Sequence, residues 1–169
     1  KMGEYANTTR FLGLTGSFES FSDDDSGYFF NDKLILFSSD SNGSTNAFIS
    51  TWTLGSSFIQ KTFLEKGVSS GIYASEFFQN GSTLELFFVS VKGTATAITT
   101  GGSKSIYKIS SGDGLTWGGT QLVFAGSTPI IDIAVSKANT VYSCFVDPIK
   151  RLPSLIQQFT YNGSVWAGN

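Results

Sequence analysis

The chain has 169 residues with 11 basic and 13 acidic side chains, a net charge of −2 and a charged fraction of only 14%, well below that of an average soluble domain. Without a basic stripe it is not expected to bind nucleic acid, and without an apolar run of about 18 residues it is not expected to cross a membrane as a helix. The single Cys144 excludes an internal disulfide and is expected to be a small buried side chain.

Short β-rich segments, bounded by Asn, Gly, Asp and Ser, follow one another along the chain. One strand is predicted within residues 1–20, in EYANTTRFLGLTG. Three four-stranded units follow: residues 21–69 with SGYFF, KLILFSS, NAFISTWT and SFIQKTFL; residues 70–128 with IYASEFF, STLELFFVSV, KSIYKIS and TWGGTQLVFA; and residues 129–169 with IIDIAVSKA, TVYSCFVD, SLIQQFTY and an incomplete SVWAGN. Two prolines interrupt the one stretch with helical character, DPIKRLPSLIQQF, so the sequence predicts an all-β fold in a single repeat domain.

Two kinds of turn residue repeat in these units. An asparagine precedes the second strand of each unit, and a glycine, followed three residues later by an aromatic residue, precedes the fourth. The glycine follows the asparagine by 24, 34 and 24 residues in the pairs Asn31 and Gly55, Asn80 and Gly114, and Asn139 and Gly163. The longer middle spacing is expected to reflect an insertion in VKGTATAITTGGSK. Antiparallel four-stranded units of about 50 residues predict the blades of a β-propeller, packed on one another through their aromatic residues.

The turn SSGDGLTW of the middle unit resembles the Asp-box of sialidase-like (BNR) propellers, S-x-D-x-G-x-T-W. The residues that match this box in register are Ser110, Gly114, Thr116 and Trp117. Gly112 stands at the position of the aspartate, and Asp113 comes one residue later. The other two units keep only the glycine and the aromatic residue. The resemblance implies a propeller whose box is a turn between the third and fourth strands of a blade, remote from any catalytic face.

Three blades do not close a ring, since propellers have about four to eight. We therefore expect the strand in residues 1–20 to complete a blade of its own chain or of a neighbour, or the chain to be part of a larger propeller. An unclosed stack exposes sheet edges and apolar faces. A homo-oligomer or a longer chain is expected on these grounds.

The charged side chains do not predict an enzyme. The resemblance implies that an active sialidase holds its substrate with three arginines and uses a Tyr-Glu nucleophile and an Asp acid/base, but the chain has only Arg10 and Arg151. The absence of histidine excludes His-dependent triads and most zinc sites. Glu76, Asp132 and Asp147 flank predicted strands, as a carboxylate pair for glycoside hydrolysis would require. A chain with 13 acidic residues offers such candidates by chance, so a fragment of a sialidase-like glycosidase is the weaker alternative.

One dense acidic run, FSDDDSGYFFND, offers oxygen ligands for a calcium ion. The candidate ligands are Asp23, Asp25 and Asn31. Their spacing matches neither an EF-hand nor the calcium loops of other propellers. A solvated loop is the preferred interpretation, and no cofactor is expected.

Carbohydrate binding fits this composition best. Aromatic faces stack on the C–H groups of sugars, and Asn, Gln, Ser and Thr hydrogen-bond to sugar hydroxyls, and neither contact requires net charge. Trp52, Trp117 and Trp166 are the candidate ligand residues, although the last two share a repeat position that also suits packing between blades. The predicted function is a lectin-like or adhesive module without catalytic activity. The alternative is a structural subunit that self-assembles through its repeats into a surface layer or filament.

Four N-x-[ST] sequons bear on the compartment. They begin at Asn7, Asn42, Asn80 and Asn162, and the last three lie in Asn-Gly-Ser turns that would project the side chain into solvent. One interpretation is that they are simple turn residues that tolerate positive φ. The other is a glycosylated protein at the cell surface or outside the cell.

Overall fold

The computed structural model describes residues 26–39, 47–53, 59–63, 72–91, 104–126, 130–146 and 153–168. These residues form β-strands joined by turns and contain no helix, so the all-β prediction is confirmed. The strand predicted within residues 1–20 lies outside this described part of the chain.

The described residues form three four-stranded sheets, each antiparallel and each ordered as a meander. The first sheet contains β1 (Ser26–Phe30), β2 (Lys33–Ser39), β3 (Ala47–Thr53) and β4 (Ile59–Phe63). The second contains β5 (Ile72–Asn80), β6 (Thr83–Val91), β7 (Lys104–Ser111) and β8 (Gln121–Gly126). The third contains β9 (Ile130–Lys137), β10 (Thr140–Val146), β11 (Pro153–Tyr161) and β12 (Trp166–Gly168). No sheet closes on itself.

Most strand boundaries lie within one or two residues of the prediction, but one strand begins well inside its predicted range. The fourth strand of the second unit was expected from Thr116, whereas β8 begins at Gln121. The reason is the preceding turn, in which the Gly118 N–H donates to the carbonyl oxygen of Ser110 at 2.8 Å. This bond holds the segment after Trp117 across the end of β7, so it does not pair as a strand.

Residues with positive φ form the turn of the first hairpin in each sheet. Asn31 and Asp32 have φ of 48° and 59°, Gly81 has φ of 59° and Asn139 has φ of 61°. Asn, Asp and Gly tolerate this left-handed region best. In the second sheet Asn80 is the last residue of β5, paired with Thr83, so the glycine takes the turn conformation predicted for the asparagine.

The second sheet is buried on both faces because it lies between the other two. Along β6 the side chains alternate: Leu84, Leu86 and Phe88 belong to the core shared with the first sheet. Phe87 and Val89 belong to the core shared with the third sheet. All six residues from 84 to 89 are buried; this is expected of the five apolar residues in a strand covered on both sides, whereas Glu85 is a buried charged residue.

The sheets are stacked in chain order with their first strands adjacent. β1 lies beside β5, and β5 lies beside β9. Positions counted from the first residue of each second strand, Lys33, Thr83 and Thr140, can therefore be compared between sheets as equivalent positions. By this count the position two residues after the first one is occupied by Ile35 in β2, Glu85 in β6 and Tyr142 in β10. Cys144, two residues further along β10, was expected to be buried and is only half-buried.

Candidate functional site

The turn between β7 and β8 is organised by an aspartate. The Oδ1 atom of Asp113 accepts hydrogen bonds from the N–H groups of Leu115 and Thr116, both at 2.7 Å, and from the Ser111 hydroxyl at 3.0 Å. These bonds, led by those from Thr116 and Leu115, lower the pKa of Asp113 to about 2. The Gly114 N–H donates to the Ser111 hydroxyl oxygen at 2.8 Å. Asp113 is thus occupied by the backbone of its own turn.

The turn between β11 and β12 repeats this arrangement with an asparagine. The Oδ1 atom of Asn162 accepts from the N–H groups of Ser164 and Val165, both at 3.0 Å. Gly163 has φ of 100°, and Gly114 at the equivalent position has φ of 75°. The sequence comparison identified the shared glycine and aromatic residue but missed the shared side-chain acceptor. The signal available in the sequence was an Asp or Asn directly before each glycine.

The three tryptophans proposed as ligand residues lie in different places. Trp117 is partly buried against the core between the first and second sheets, with its ring centroid 6.3 Å from that of Phe77. Trp166 packs against the core between the second and third sheets. Trp52 is only 7% exposed and lies opposite Leu34 in the register of β2 and β3. The structure therefore does not bring these rings together, and two of them occupy equivalent positions between sheets.

An ion pair lies beside Trp166 at the junction of the second and third sheets. The Lys108 Nζ donates to the Glu85 Oε1 at 2.8 Å. The same Nζ lies 5.7 Å from the ring centroid of Phe87 and 6.0 Å from that of Trp166. Trp166 meets Phe87 edge-on at 6.1 Å and lies 5.4 Å from the ring of Tyr161. We call Glu85, Phe87, Lys108, Tyr161 and Trp166 the Glu85 cluster.

Two polar atoms of the Glu85 cluster lack a hydrogen-bond partner. They are the Glu85 Oε2 and the Trp166 Nε1, and both are buried. An unpaired buried polar group costs about 1–3 kcal/mol, and more when it is charged. The cluster therefore leaves one strong acceptor and one donor unpaired among aromatic rings.

The equivalent junction between the first and second sheets has no ion pair, although the Trp117 Nε1 is buried there without a hydrogen-bond partner, as the Trp166 Nε1 is. Ile35 and Ile49 stand where the second sheet has Glu85 and Lys108. There the Thr51 hydroxyl donates to the Gly114 carbonyl oxygen at 2.9 Å, and a Cβ on Gly114 would lie 2.7 Å from the Ile35 Cδ1. At Gly163 a Cβ would meet no atom within 4 Å. The ion pair between Lys108 and Glu85, and the free space beside Gly163, distinguish the junction between the second and third sheets.

Two of the three predicted acidic residues are brought close together. Glu76 on β5 and Asp132 on β9 are exposed and occupy equivalent positions, opposite Phe87 and Cys144. Although Glu76 is exposed as a residue, partial burial of its carboxyl group, and then the negative charge of Asp132, raise the pKa of Glu76. Asp147 lies outside the described residues.

The proposed calcium ligands are only partly within the described part of the chain, since Asp23 and Asp25 fall outside it. Asn31 lies in the β1–β2 turn, where its carbonyl oxygen accepts from the Lys33 Nζ at 3.3 Å. Among the described residues no group of three or more His, Cys, Asp and Glu side chains is placed to hold a metal ion.

Two of the four sequons can be placed on the fold. Asn80 and Asn162 are exposed at turns of the second and third sheets. Asn162 uses only its Oδ1 in the turn, so its side-chain nitrogen, the atom that carries an N-linked glycan, remains available. The sequons at Asn7 and Asn42 lie beyond the described ranges, as do the arginines.

Comparisons with known proteins leave the family open. No family model matches the sequence, and no curated protein is significantly similar to it. Within the described ranges, no helix is long and apolar enough to cross a membrane.

Proposed function

We propose that the chain is a non-catalytic, carbohydrate-binding or adhesive β-propeller module that acts at the cell surface or outside the cell. The propeller is supported by three meander sheets that stack with first strand beside first strand. The degenerate Asp-box resemblance agrees with it, because the turn of the second unit and that of the third cap their own backbone in the same way. On this proposal the three sheets are blades of a larger ring or of one completed by another copy.

The observation that carries the binding proposal is that two polar atoms of the Glu85 cluster, the Glu85 Oε2 and the Trp166 Nε1, have no hydrogen-bond partner. On this proposal the side chains that bury the two atoms move aside, and then a sugar hydroxyl donates to the Glu85 Oε2 and another hydroxyl oxygen accepts from the Trp166 Nε1. The rings of Phe87, Tyr161 and Trp166 supply apolar faces for the C–H side of a sugar ring. Lys108 orients the carboxylate through its bond to Oε1.

Trp166→Phe tests this proposal because it removes the indole N–H but keeps an aromatic ring. The folded protein is first applied to a glycan array, and the sugars that bind are then titrated by calorimetry. A lost hydrogen bond of about 1–1.5 kcal/mol weakens binding roughly tenfold. Trp117→Phe, the same substitution at the equivalent position of the junction without an ion pair, is the matched control. Absence of binding at millimolar sugar, or equal effects of the two substitutions, would contradict the proposal.

A self-assembling structural subunit is the second candidate. It is favoured by the outer face of the third sheet, where Ile156 is exposed. Light scattering separates the two candidates, because a structural subunit forms large particles without sugar.

The weaker alternative is a fragment of a sialidase-like glycosidase. It would use Glu76 and Asp132 as its carboxylate pair. An aryl-glycoside hydrolysis assay tests it, and turnover abolished by Asp132→Asn would favour an enzyme over a binding module.

A further inference from the structure

The tripeptide Asn-Gly-Ser occurs at two turns of the structure and is held differently in each. Residues 80–82 lie at the β5–β6 turn, and residues 162–164 lie in the β11–β12 turn. An asparagine followed by glycine is reactive, because glycine has no side chain to keep its backbone nitrogen away from the amide carbon of the asparagine. Since the two tripeptides are identical, a difference in this reactivity comes from the fold. The third copy, at Asn42, lies outside the described residues.

The side-chain amide of Asn162 is held with its carbonyl group polarised. Its Oδ1 accepts from the N–H groups of Ser164 and Val165, both at 3.0 Å. When a nucleophile adds to the amide carbon Cγ, the negative charge forms on this oxygen, and fixed N–H donors at such distances stabilise it. Asn162 is exposed, so the nitrogen that must leave, Nδ2, is on the solvent side of the molecule. The turn therefore supplies an oxyanion site for attack on Cγ.

The nitrogen that attacks belongs to Gly163. This residue is exposed and has φ of 100°, and a Cβ there would meet no atom within 4 Å. It lies between two strands, since β11 ends at Tyr161 and β12 begins at Trp166. Residues 162–165 take part in no strand pairing. The backbone rotation that brings the Gly163 nitrogen onto Cγ therefore has room and breaks no pair of the sheet.

The same tripeptide at Asn80 lacks both features. Asn80 is the last residue of β5 and pairs with Thr83, so ring closure there must first open the end of a hairpin. The Gln79 Nε2 donates to the Gly81 carbonyl oxygen at 3.0 Å, which restrains the glycine. Within the described ranges, no N–H group donates to the Asn80 side chain. Asn80 is therefore an internal control with the same local sequence.

We propose that the β11–β12 turn promotes the conversion of its own Asn162 to aspartate through a cyclic imide, with water as the only co-reactant. The Gly163 nitrogen loses its proton to solvent and bonds to Cγ. The Cγ–Nδ2 bond then breaks, and Nδ2 leaves as ammonia with a proton from water. Water next adds to Cγ, the bond from Cγ to the Gly163 nitrogen breaks, and that nitrogen regains a proton. Each conversion consumes one water, releases one ammonia and transfers no electrons.

The product suits the turn, because the equivalent turn already has an aspartate. Asp113 accepts from the N–H groups two and three residues later, at 2.7 Å, in the same pattern as Asn162. A carboxylate forms stronger bonds to such donors than an amide does, and these bonds lower the pKa of Asp113 to about 2. Conversion therefore adds a negative charge and strengthens the turn at neutral pH. It also removes the sequon at Asn162, and it does not depend on sugar binding.

Peptide mapping of the full chain by mass spectrometry tests the conversion, on material that carries no glycan at Asn162. The folded protein is incubated at mildly alkaline pH, and the replacement of NH2 by OH is followed over time at both asparagines. Asn162 should convert at least about tenfold faster than Asn80, since one hydrogen bond of ordinary strength accounts for about that factor. In urea the two identical tripeptides should convert at similar rates. Equal rates in the folded protein, a difference that persists in urea, or slower conversion of Asn162 when folded than in urea would overturn the proposal.

Val165→Pro tests the oxyanion donors, because proline has no N–H and the tripeptide stays intact. In the folded protein it should slow the conversion of Asn162 about tenfold, and in urea it should have no effect. Val165→Ala keeps the N–H and is the matched control, since Val165 is 59% exposed. Equal rates for the two variants would refute the role of the donors. If Val165→Pro loses its far-UV circular dichroism signal, the comparison of Asn162 with Asn80 in wild type still decides.

The products identify the route. A cyclic imide opens at Cγ to give aspartate and at the main-chain carbonyl carbon to give isoaspartate, whereas direct hydrolysis of the amide gives aspartate alone. Electron-transfer fragmentation of the peptide that contains residue 162 distinguishes the two products. Both should be present, and the absence of isoaspartate would overturn the imide route.

Discussion

The two glycines of the repeated turns should respond very differently to the same substitution. Gly114 and Gly163 both have positive φ and both follow a side-chain acceptor. A Cβ on Gly114 would lie 2.7 Å from the Ile35 Cδ1, whereas a Cβ on Gly163 would meet nothing within 4 Å. The pair therefore separates the cost of the backbone angle from the cost of packing between sheets.

The size of the difference follows from where Ile35 lies. Placing alanine at positive φ costs about 1–3 kcal/mol at either turn. Only Gly114→Ala adds a clash with Ile35, whose terminal Cδ1 must shift within a site where the residue is fully buried beside Phe30 and Phe37. Overpacking of this kind adds about 1–3 kcal/mol. We therefore expect Gly114→Ala to lower the free energy of unfolding by about 2–6 kcal/mol and by at least about 1 kcal/mol more than Gly163→Ala.

Urea denaturation, followed by tryptophan fluorescence and far-UV circular dichroism, measures both values. The double-mutant cycle with Ile35→Val adds a direct test, because valine lacks the Cδ1 that the new methyl would meet. Ile35→Val alone should cost about 0.5–1.5 kcal/mol, but in the Gly114→Ala background it should cost less than this or stabilise. Equal destabilisation by the two glycine substitutions, or simple additivity in the cycle, would refute a close contact between this turn and the first sheet.

Three further substitutions test the polar groups. The pKa of Asp113 is lowered to about 2. Its contribution to stability is therefore present above the unfolded pKa near 4 and is lost as the pH falls through 2. Asp113→Asn, which keeps an acceptor oxygen, should remove this loss of stability at acid pH, and Asp113→Ala should lower the stability at neutral pH. Lys108→Met leaves the buried Glu85 carboxylate unpaired and should cost about 3 kcal/mol in chemical denaturation, while adding Glu85→Gln should restore part of it; full stability of the single variant would contradict the ion pair. The pKa of Glu76 is raised by burial and by Asp132, so its charged form destabilises the fold above its folded pKa; Glu76→Gln should raise the melting temperature at pH 7 and not at pH 3, and a gain at both would show that charge is not the cause.

Local patterns were enough to predict the strands and their order. Alternating apolar segments bounded by Asn, Gly and Asp identified β1 and β2 to the residue, because a strand's burial pattern and the turn chemistry at its ends are both local. The fourth strand of the second unit was misplaced for a physical reason. The bond from Gly118 to Ser110 is set by a turn geometry that the apolar pattern of TWGGTQLVFA does not reveal.

The candidate site was less accessible from the sequence. Glu85 and Lys108 lie in strands that read as ordinary β-segments, and their partnership with Trp166 depends on a third strand far along the chain. The tryptophans were identified as a repeat, but their separation into two junctions, and the burial of Trp52, follow from the stacking of sheets. No spacing rule in the sequence states which faces meet.

The sequence by itself determined the β-content, the meander order and the turn residues, because each of these depends on neighbours a few positions apart. Tertiary structure decided which face of each sheet is covered. Side chains at equivalent positions therefore differ in their burial and in their partners. Ile49 is buried, Lys108 pairs with Glu85, and Ile156 is exposed. The physical reason is that burial belongs to the pair of surfaces in contact and not to the strand that carries the residue.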